Sequence, residues 1–186
     1  MYPYLRMASA MFRARRMPRL APFEAHVSQI RCLPWDIDPW MELNNGRTLT
    51  LYDLGRLPFS LRVGLIDVLR RERWGMTVAG SSIRYRRRVR AFQKVTMVSR
   101  LIGWDARFIY LEHSMWRAGD CTSQVLIRSA TVDAKGIVTP ARVAVALGLD
   151  PASPPLPGWV QAWIDGEAQR PWPPEFAPPG FAPSRP

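Results

Sequence analysis

Lysine, cysteine and histidine each occur only twice in this chain, and each scarcity excludes something. Cys32 and Cys121 are far apart, with no Cys-x-x-Cys spacing and no histidine cluster, so no zinc site is predicted. Two such cysteines suit free thiols in a reducing compartment, the cytoplasm, although one disulfide stays open. His26 and His113 are the only histidines, and Gly80-Ser81-Ser82 falls short of a Gly-x-Ser-x-Gly elbow, which argues against a Ser-His-Asp hydrolase. No EF-hand, phosphate loop or internal repeat is present, and no run approaches the roughly 20 apolar residues of a membrane span. Acidic residues are outnumbered 15 to 26, giving a net charge of +11. That excess points to an anionic partner: nucleic acid, an acidic membrane surface or a phosphate-bearing ligand. Because Lys94 and Lys135 are the only lysines, the charge is almost all arginine, and a genome's composition produces such a bias as readily as a partner does.

With 186 residues and 47% hydrophobic composition the chain has enough apolar material for one domain and a real core. Residues 1–22 carry Arg6, Arg13, Arg15, Arg16 and Arg19 and no acid, without a signal peptide's apolar core. They are read as a disordered basic extension, with a transit peptide or an alternative start at Met7, Met11 or Met17 as the competing readings. A domain is expected over 23–150. Phe23 to Cys32 alternates as a first strand, with His26, Ser28, Ile30 and Cys32 on one face. The turn-rich segment Leu33 to Trp40 follows, kept from helix by Pro34 and Pro39. Asn44 or Asn45 then makes an N-cap, and Leu51, Leu54, Leu61 and Leu65 recur at helical spacing. Pro58 is expected to kink this helix or divide it, and Gly64 to stop it before a short helix over 65–73. Four strands over 78–90, 92–104, 108–117 and 123–133, joined by short links, read as an antiparallel meander. Pro140 to Gly148 is a short helix with proline in its first turn. Residues 151–186 form a proline-rich extension with room for one helix over 159–169 and an extended end from Pro171. One strand, a helix and four strands is the order of an antiparallel sheet wrapped around a single helix, an α+β architecture that pairs with a copy of itself.

The densest chemistry lies between Asp36 and Arg47, where Asp36, Asp38 and Glu42 precede Asn44-Asn45-Gly46. A helix N-terminus offers unpaired N–H groups and a partial positive charge, which suit a developing oxyanion. A carboxylate beside it can activate water or attack a carbonyl. The plainer reading makes Asp36 and Asp38 turn formers and Asn44 a simple cap.

The stretch Asp36 to Arg56, ending Leu49-Thr50-Leu51-Tyr52-Asp53-Leu54-Gly55-Arg56, resembles the signature of the hotdog-fold thioesterases, closest to the 4-hydroxybenzoyl-CoA thioesterase-like branch. That pattern is Asp-x-Asp, a short loop, His-hydrophobic-Asn-Asn, then the central helix. The resemblance covers about residues 23–133 and includes the Arg84-Tyr85-Arg86-Arg87 strand. It implies a hotdog fold, a homodimer or dimer of dimers, and hydrolysis of an acyl-CoA or related acyl thioester. Coenzyme A enters as part of the substrate, and no other cofactor is implied. Asp38 falls on the catalytic carboxylate as general base or nucleophile, Asn44 and Asn45 on the helix-start asparagines, and Asp36 on the supporting acid. The N–H groups near Asn45 and Gly46 form the oxyanion site. Glu42 stands where the branch commonly has histidine. It brings a third negative charge, which raises the pKa of Asp38, alters the substrate, shifts the catalytic role or removes activity.

In Ile83-Arg84-Tyr85-Arg86-Arg87-Arg88-Val89-Arg90 the alternation puts Arg84, Arg86, Arg88 and Arg90 on one strand face. This is either a solvated outer face or a cation patch for the phosphates of coenzyme A. Nucleic acid is disfavoured, because stacking aromatics are missing beside the charges apart from Tyr85. Two rivals to hydrolysis remain: a non-catalytic hotdog module binding acyl-CoA or acyl-carrier protein, and a basic nucleic-acid-binding protein. A hotdog dehydratase is weaker, since the central helix has no histidine.

Overall fold

The computed structural model describes residues 2–174 and separates two units, Met1–Pro154 and Pro155–Pro186. In the first, helix α1 (Tyr4–Arg15) is followed by β1 (His26–Arg31), α2 (Asn45–Arg62), α3 (Leu65–Glu72) and β2 (Gly75–Tyr85). Then come β3 (Lys94–Trp104), β4 (Ile109–Arg117), β5 (Asp120–Asp133), β6 (Gly136–Val138) and α4 (Pro140–Ala146). The second unit holds α5 (Gly158–Gln169), led in by Pro157 as its N-cap. The extended end expected from Pro171 lies, beyond residue 174, outside the described residues.

The six strands form one antiparallel sheet in the order β1-β3-β4-β5-β2, with β6 paired to β5. Its inward positions fall at every second residue and carry Val95 and Met97 on β3, Leu111 and Met115 on either side of His113 on β4, and Val125 and Ile127 on β5. These side chains close on Leu51, Leu54 and Phe59 of α2, so the sheet wraps one helix in the hotdog arrangement. At Gly55 the helix comes so near that a Cβ would stand 2.4 Å from Met97 Sδ and 2.6 Å from Ser99 Oγ. Only glycine permits that approach. A second apolar cluster joins Leu65 and Trp104 to Val138, Val143 and Ala144 near α4.

Four expectations need correction. The basic N-terminal segment is not disordered: α1 buries Met7, Ala10 and Ala14 at helical spacing and packs against α2. Its arginines stay at the surface or find acceptors, and Tyr2 Oη donates to Asp53 at 3.1 Å. Second, Pro58 does not divide α2 but lies inside one continuous helix, and the break comes, as expected, at Gly64, whose φ is 83°. Third, β2 and β3 do not form a hairpin, because β2 pairs with β5 at the far side of the sheet. The eight residues between them reach about 26 Å, enough for the roughly 14 Å that three strand spacings require. Fourth, β2 ends at Tyr85, so Arg86, Arg88 and Arg90 are not on a strand face with Arg84. The crossover leaves the ladder because Val89 is drawn into the core, where its carbonyl accepts from Leu43 N at 2.7 Å.

Candidate active site

The acidic loop is built around two carboxylates with different surroundings. Asp36 is fully buried and accepts from Arg6 Nη1 at 2.7 Å, Leu33 N at 3.0 Å, and Arg47 Nε and Nη2 at 2.9 and 2.8 Å. It is a pin between α1 and α2. Its carbonyl also accepts from Asn44 N at 2.9 Å, which sets the entry of the central helix. Asp38 is half-buried and shapes its own turn: Oδ1 accepts from Trp40 N at 2.9 Å and, at 3.4 Å, from Glu42 N. A main-chain bond from Asp38 N to Glu42 O at 2.8 Å and the Ile37–Leu43 bridge close the loop, with Met41 at a φ of 60°.

Asn44 is the N-cap, its Oδ1 accepting from Arg47 N at 3.0 Å. Asn45 and Gly46 therefore begin α2 with first-turn amides that have no intrahelical acceptor, and both residues are exposed. Asn45 lines a cleft of about 180 Å³ together with Glu42, Thr48, Tyr85, Ser123 and the residues Arg86, Arg87 and Arg88. Glu42 Oε2 lies 2.8 Å from Arg88 Nε. The amides of Arg86 and Arg87 both donate to Thr122 O, at 2.8 and 3.1 Å, which bends the crossover over the cleft.

Of the residues singled out from the sequence, the cleft gathers Glu42, Asn45, Arg86 and Arg88. Asp38, Asn44 and Gly46 adjoin it in the loop and first helical turn without lining it, and Arg84 remains on β2 opposite Gln124. Sequence reasoning missed three polar liners. Tyr85, weighed only as a stacking aromatic, donates its hydroxyl to Asn45 O at 3.1 Å. Thr48 lies one turn into α2, and Ser123 Oγ is 2.7 Å from the buried Tyr52 Oη. Tyr85 sits inside the arginine run and was open to notice; Thr48 and Ser123 give no signal in the sequence. Burial pushes the Tyr52 and Tyr85 phenols up, so both keep their protons near pH 7. Among the described residues no group of three or more His, Cys, Asp or Glu converges as a metal site, and no helix is long and apolar enough to cross a membrane.

A sheet wrapped around one helix, with an acidic loop feeding that helix's N-terminus, defines the hotdog class. The chain belongs to the thioesterase-like superfamily, whose model matches residues 32–164. Protein THEM6 of Drosophila melanogaster is 30% identical over 138 residues, covering 72% of this chain and 69% of that protein. Protein THEM6 of Xenopus laevis is 31% identical over 110 residues, covering 59% of this chain and 53% of its own length. The chain thus spans only about half of the latter relative. Among solved structures, a DHNA-CoA thioesterase from Staphylococcus aureus aligns with a TM-score of 0.57 at 13% identity, covering 77% of this chain and 91% of that one. A 1,4-dihydroxy-2-naphthoyl-CoA thioesterase from Synechocystis aligns with a TM-score of 0.57 at 6% identity, covering 67% and 95%. At such identities the likeness speaks for the fold.

Proposed function

We propose that this chain hydrolyses an acyl thioester, with an acyl-CoA as the substrate class, at the N-terminus of α2. One observation carries the reading: Asn45 opens the central helix onto a cleft that also holds a carboxylate, Glu42, and three arginines, Arg86 to Arg88. The thioester carbonyl would accept from the first-turn amides of Asn45 and Gly46, where the helix dipole favours the developing oxyanion. Asp38 would activate water, which adds to the carbonyl carbon. Collapse of the tetrahedral intermediate breaks the C–S bond and releases acid and thiol. If Asp38 instead attacks first, the C–S bond breaks and the thiol leaves as a mixed anhydride forms, which water then opens to free acid and the regenerated Asp38 carboxylate. Arginines at the mouth suit the phosphates of coenzyme A, which is needed only as part of the substrate. Tyr85, the aromatic within this arginine run, has its hydroxyl held on Asn45 O, so nucleic acid is not the partner we favour. The unpaired outer edge of β2 favours a homodimer. The free thiols Cys32 and Cys121 favour the cytoplasm.

The test is thiol release from a panel of acyl-CoAs by the wild type, Asp38→Asn and Glu42→Gln. We expect Asp38→Asn to lower kcat by about 10²-fold or more, the range for loss of a general base. Full activity in that variant with loss in Glu42→Gln would move the base to Glu42. The Glu42–Arg88 ion pair supports a second reading, a module that binds acyl-CoA without turnover. Saturable binding with no thiol release from any substrate would favour it.

A further inference from the structure

A groove of about 590 Å³ lies away from the cleft, between α1 and β1. That volume falls within the range of sites that accept a ligand. One wall is the outer edge of β1, an edge strand bonded only to β3. Cys32 shows which main-chain groups point where: its N donates to Gln93 O and its O accepts from Phe92 N, both toward the β3 side. By antiparallel alternation Val27, Gln29 and Arg31 turn their N–H and C=O to the groove. Arg31 O is taken by Arg6 Nη2 at 2.7 Å, while among the described residues Val27 and Gln29 have no outer partner. The opposite wall is the face of α1 bearing Ser9, Ala10 and Ala14, whose small side chains leave room for a backbone, with Arg13 beside them, and Leu54 and Pro58 of α2 supply an apolar floor.

Charge narrows the occupant. Arg6, Arg13 and Arg31 line the groove and no carboxylate does. Arg6 is committed to Asp36, but among the described residues Arg13 donates only to the Ser9 hydroxyl, at 2.7 Å, and Arg31 to the carbonyl of Phe92, at 3.0 Å. An unpaired strand edge facing a helix across an apolar floor suits an extended chain, which supplies main-chain partners and alternate side chains. We propose that this groove binds an extended, proline-free peptide segment of a partner protein by strand addition to β1. Its apolar side chains would face Leu54 and Pro58 and its acidic ones Arg13 and Arg31. A bound strand would also cover an edge that is otherwise a template for aggregation.

The experiment pans a random decapeptide display library on the full-length wild type, with an excess of the Ser9→Trp variant in solution as competitor. Synthetic peptides from the enriched clones are then titrated by fluorescence anisotropy. Expected are proline-free sequences alternating acidic with apolar residues, losing about tenfold or more in affinity on Ser9→Trp, which fills the groove, and on Arg13→Glu. Gln29→Pro should lose a similar factor, since it removes an N–H that the β3 ladder does not use and proline is tolerated on an outward strand edge. Circular dichroism and thiol release from acyl-CoA, expected unchanged in Ser9→Trp, separate loss of the groove from loss of fold or of turnover. The proposal is overturned if no clone is enriched, or if enriched peptides bind Ser9→Trp as tightly as the wild type. It is equally overturned if light scattering shows a dimer that Gln29→Pro dissolves, which would give the edge to a second copy of this chain.

Discussion

Acid should weaken this fold well above the pH at which carboxylates protonate, and His113 is the reason. It points inward from β4, opposite Ser99 on β3 and Val125 on β5, fully buried with its ring 5.9 Å from that of Tyr52. Neither ring nitrogen has a hydrogen-bond partner among the described residues. Burial first, and then the charge of Arg56, push its pKa down to about 3. The folded state therefore keeps the imidazole neutral, while the unfolded chain takes up a proton below about 6.5. Stability is complete above that value and is lost as pH falls toward 3, at about 1.4 kcal/mol per pH unit for each such proton. Between pH 6.5 and 4.5 His113 alone should remove about 2.5 kcal/mol, out of a ceiling of about 5 kcal/mol. His26 acts with the same sign: burial and then Arg62 lower it to about 4, and since Arg62 Nη1 only donates at 3.0 Å, Nδ1 must be the unprotonated acceptor. Urea denaturation of the wild type and of His113→Leu at pH 7.5, 6.5, 5.5 and 4.5 measures this directly. The variant should be no less stable than wild type at pH 7.5, because it removes two unpartnered polar atoms, and its slope below pH 6.5 should be shallower by about one proton. Parallel slopes, or a loss of about 2 kcal/mol or more at pH 7.5, would refute the reasoning.

Two further perturbations test the packing that carries the site. Gly55→Ala should lower stability by about 1–3 kcal/mol although alanine is the better helix former, since its methyl group meets Met97 and Ser99; an unchanged Tm would mean the helix is not seated that closely. Asp36→Asn removes the carboxylate shared by Arg6 and Arg47 and should cost about 3–5 kcal/mol in urea denaturation, with faster tryptic cleavage at Arg13 to Arg16 as α1 loosens. Cleavage at the wild-type rate would show that α1 is held by Met7, Ala10 and Ala14 alone.

What was legible in the sequence was whatever repeats at a fixed spacing or sits at a cap. Alternation exposed β1, short links marked off β3, β4 and β5, and the Asn44-Asn45 pair showed where the central helix begins. Partnership across the sheet was not legible. Short links made β2 and β3 read as a hairpin, and only the pull of Val89 into the core shows why the arginine run leaves β2 and spans the cleft. The N-terminal segment failed for a related reason. Five arginines dominate its composition, while the residues that dock it, Met7, Ala10 and Ala14, form a stripe too small and weakly apolar to outweigh them.

That last misreading changes how the site is understood. Asp36 looked like the lesser member of an Asp-x-Asp pair, and in the fold it joins three things: Arg6 from α1, Arg47 from the first turn of α2, and Asn44 N through its own carbonyl. The N-terminal helix therefore does not merely precede the domain. Through one buried carboxylate it holds the turn from which Asn45 and Gly46 present their amides. On the proposed reaction, shifting that turn by even an ångström would misplace donors whose value depends on aim. Arg6→Ala should accordingly lower kcat more than it raises KM, although Arg6 does not line the cleft. An effect on KM alone would separate α1 from the chemistry.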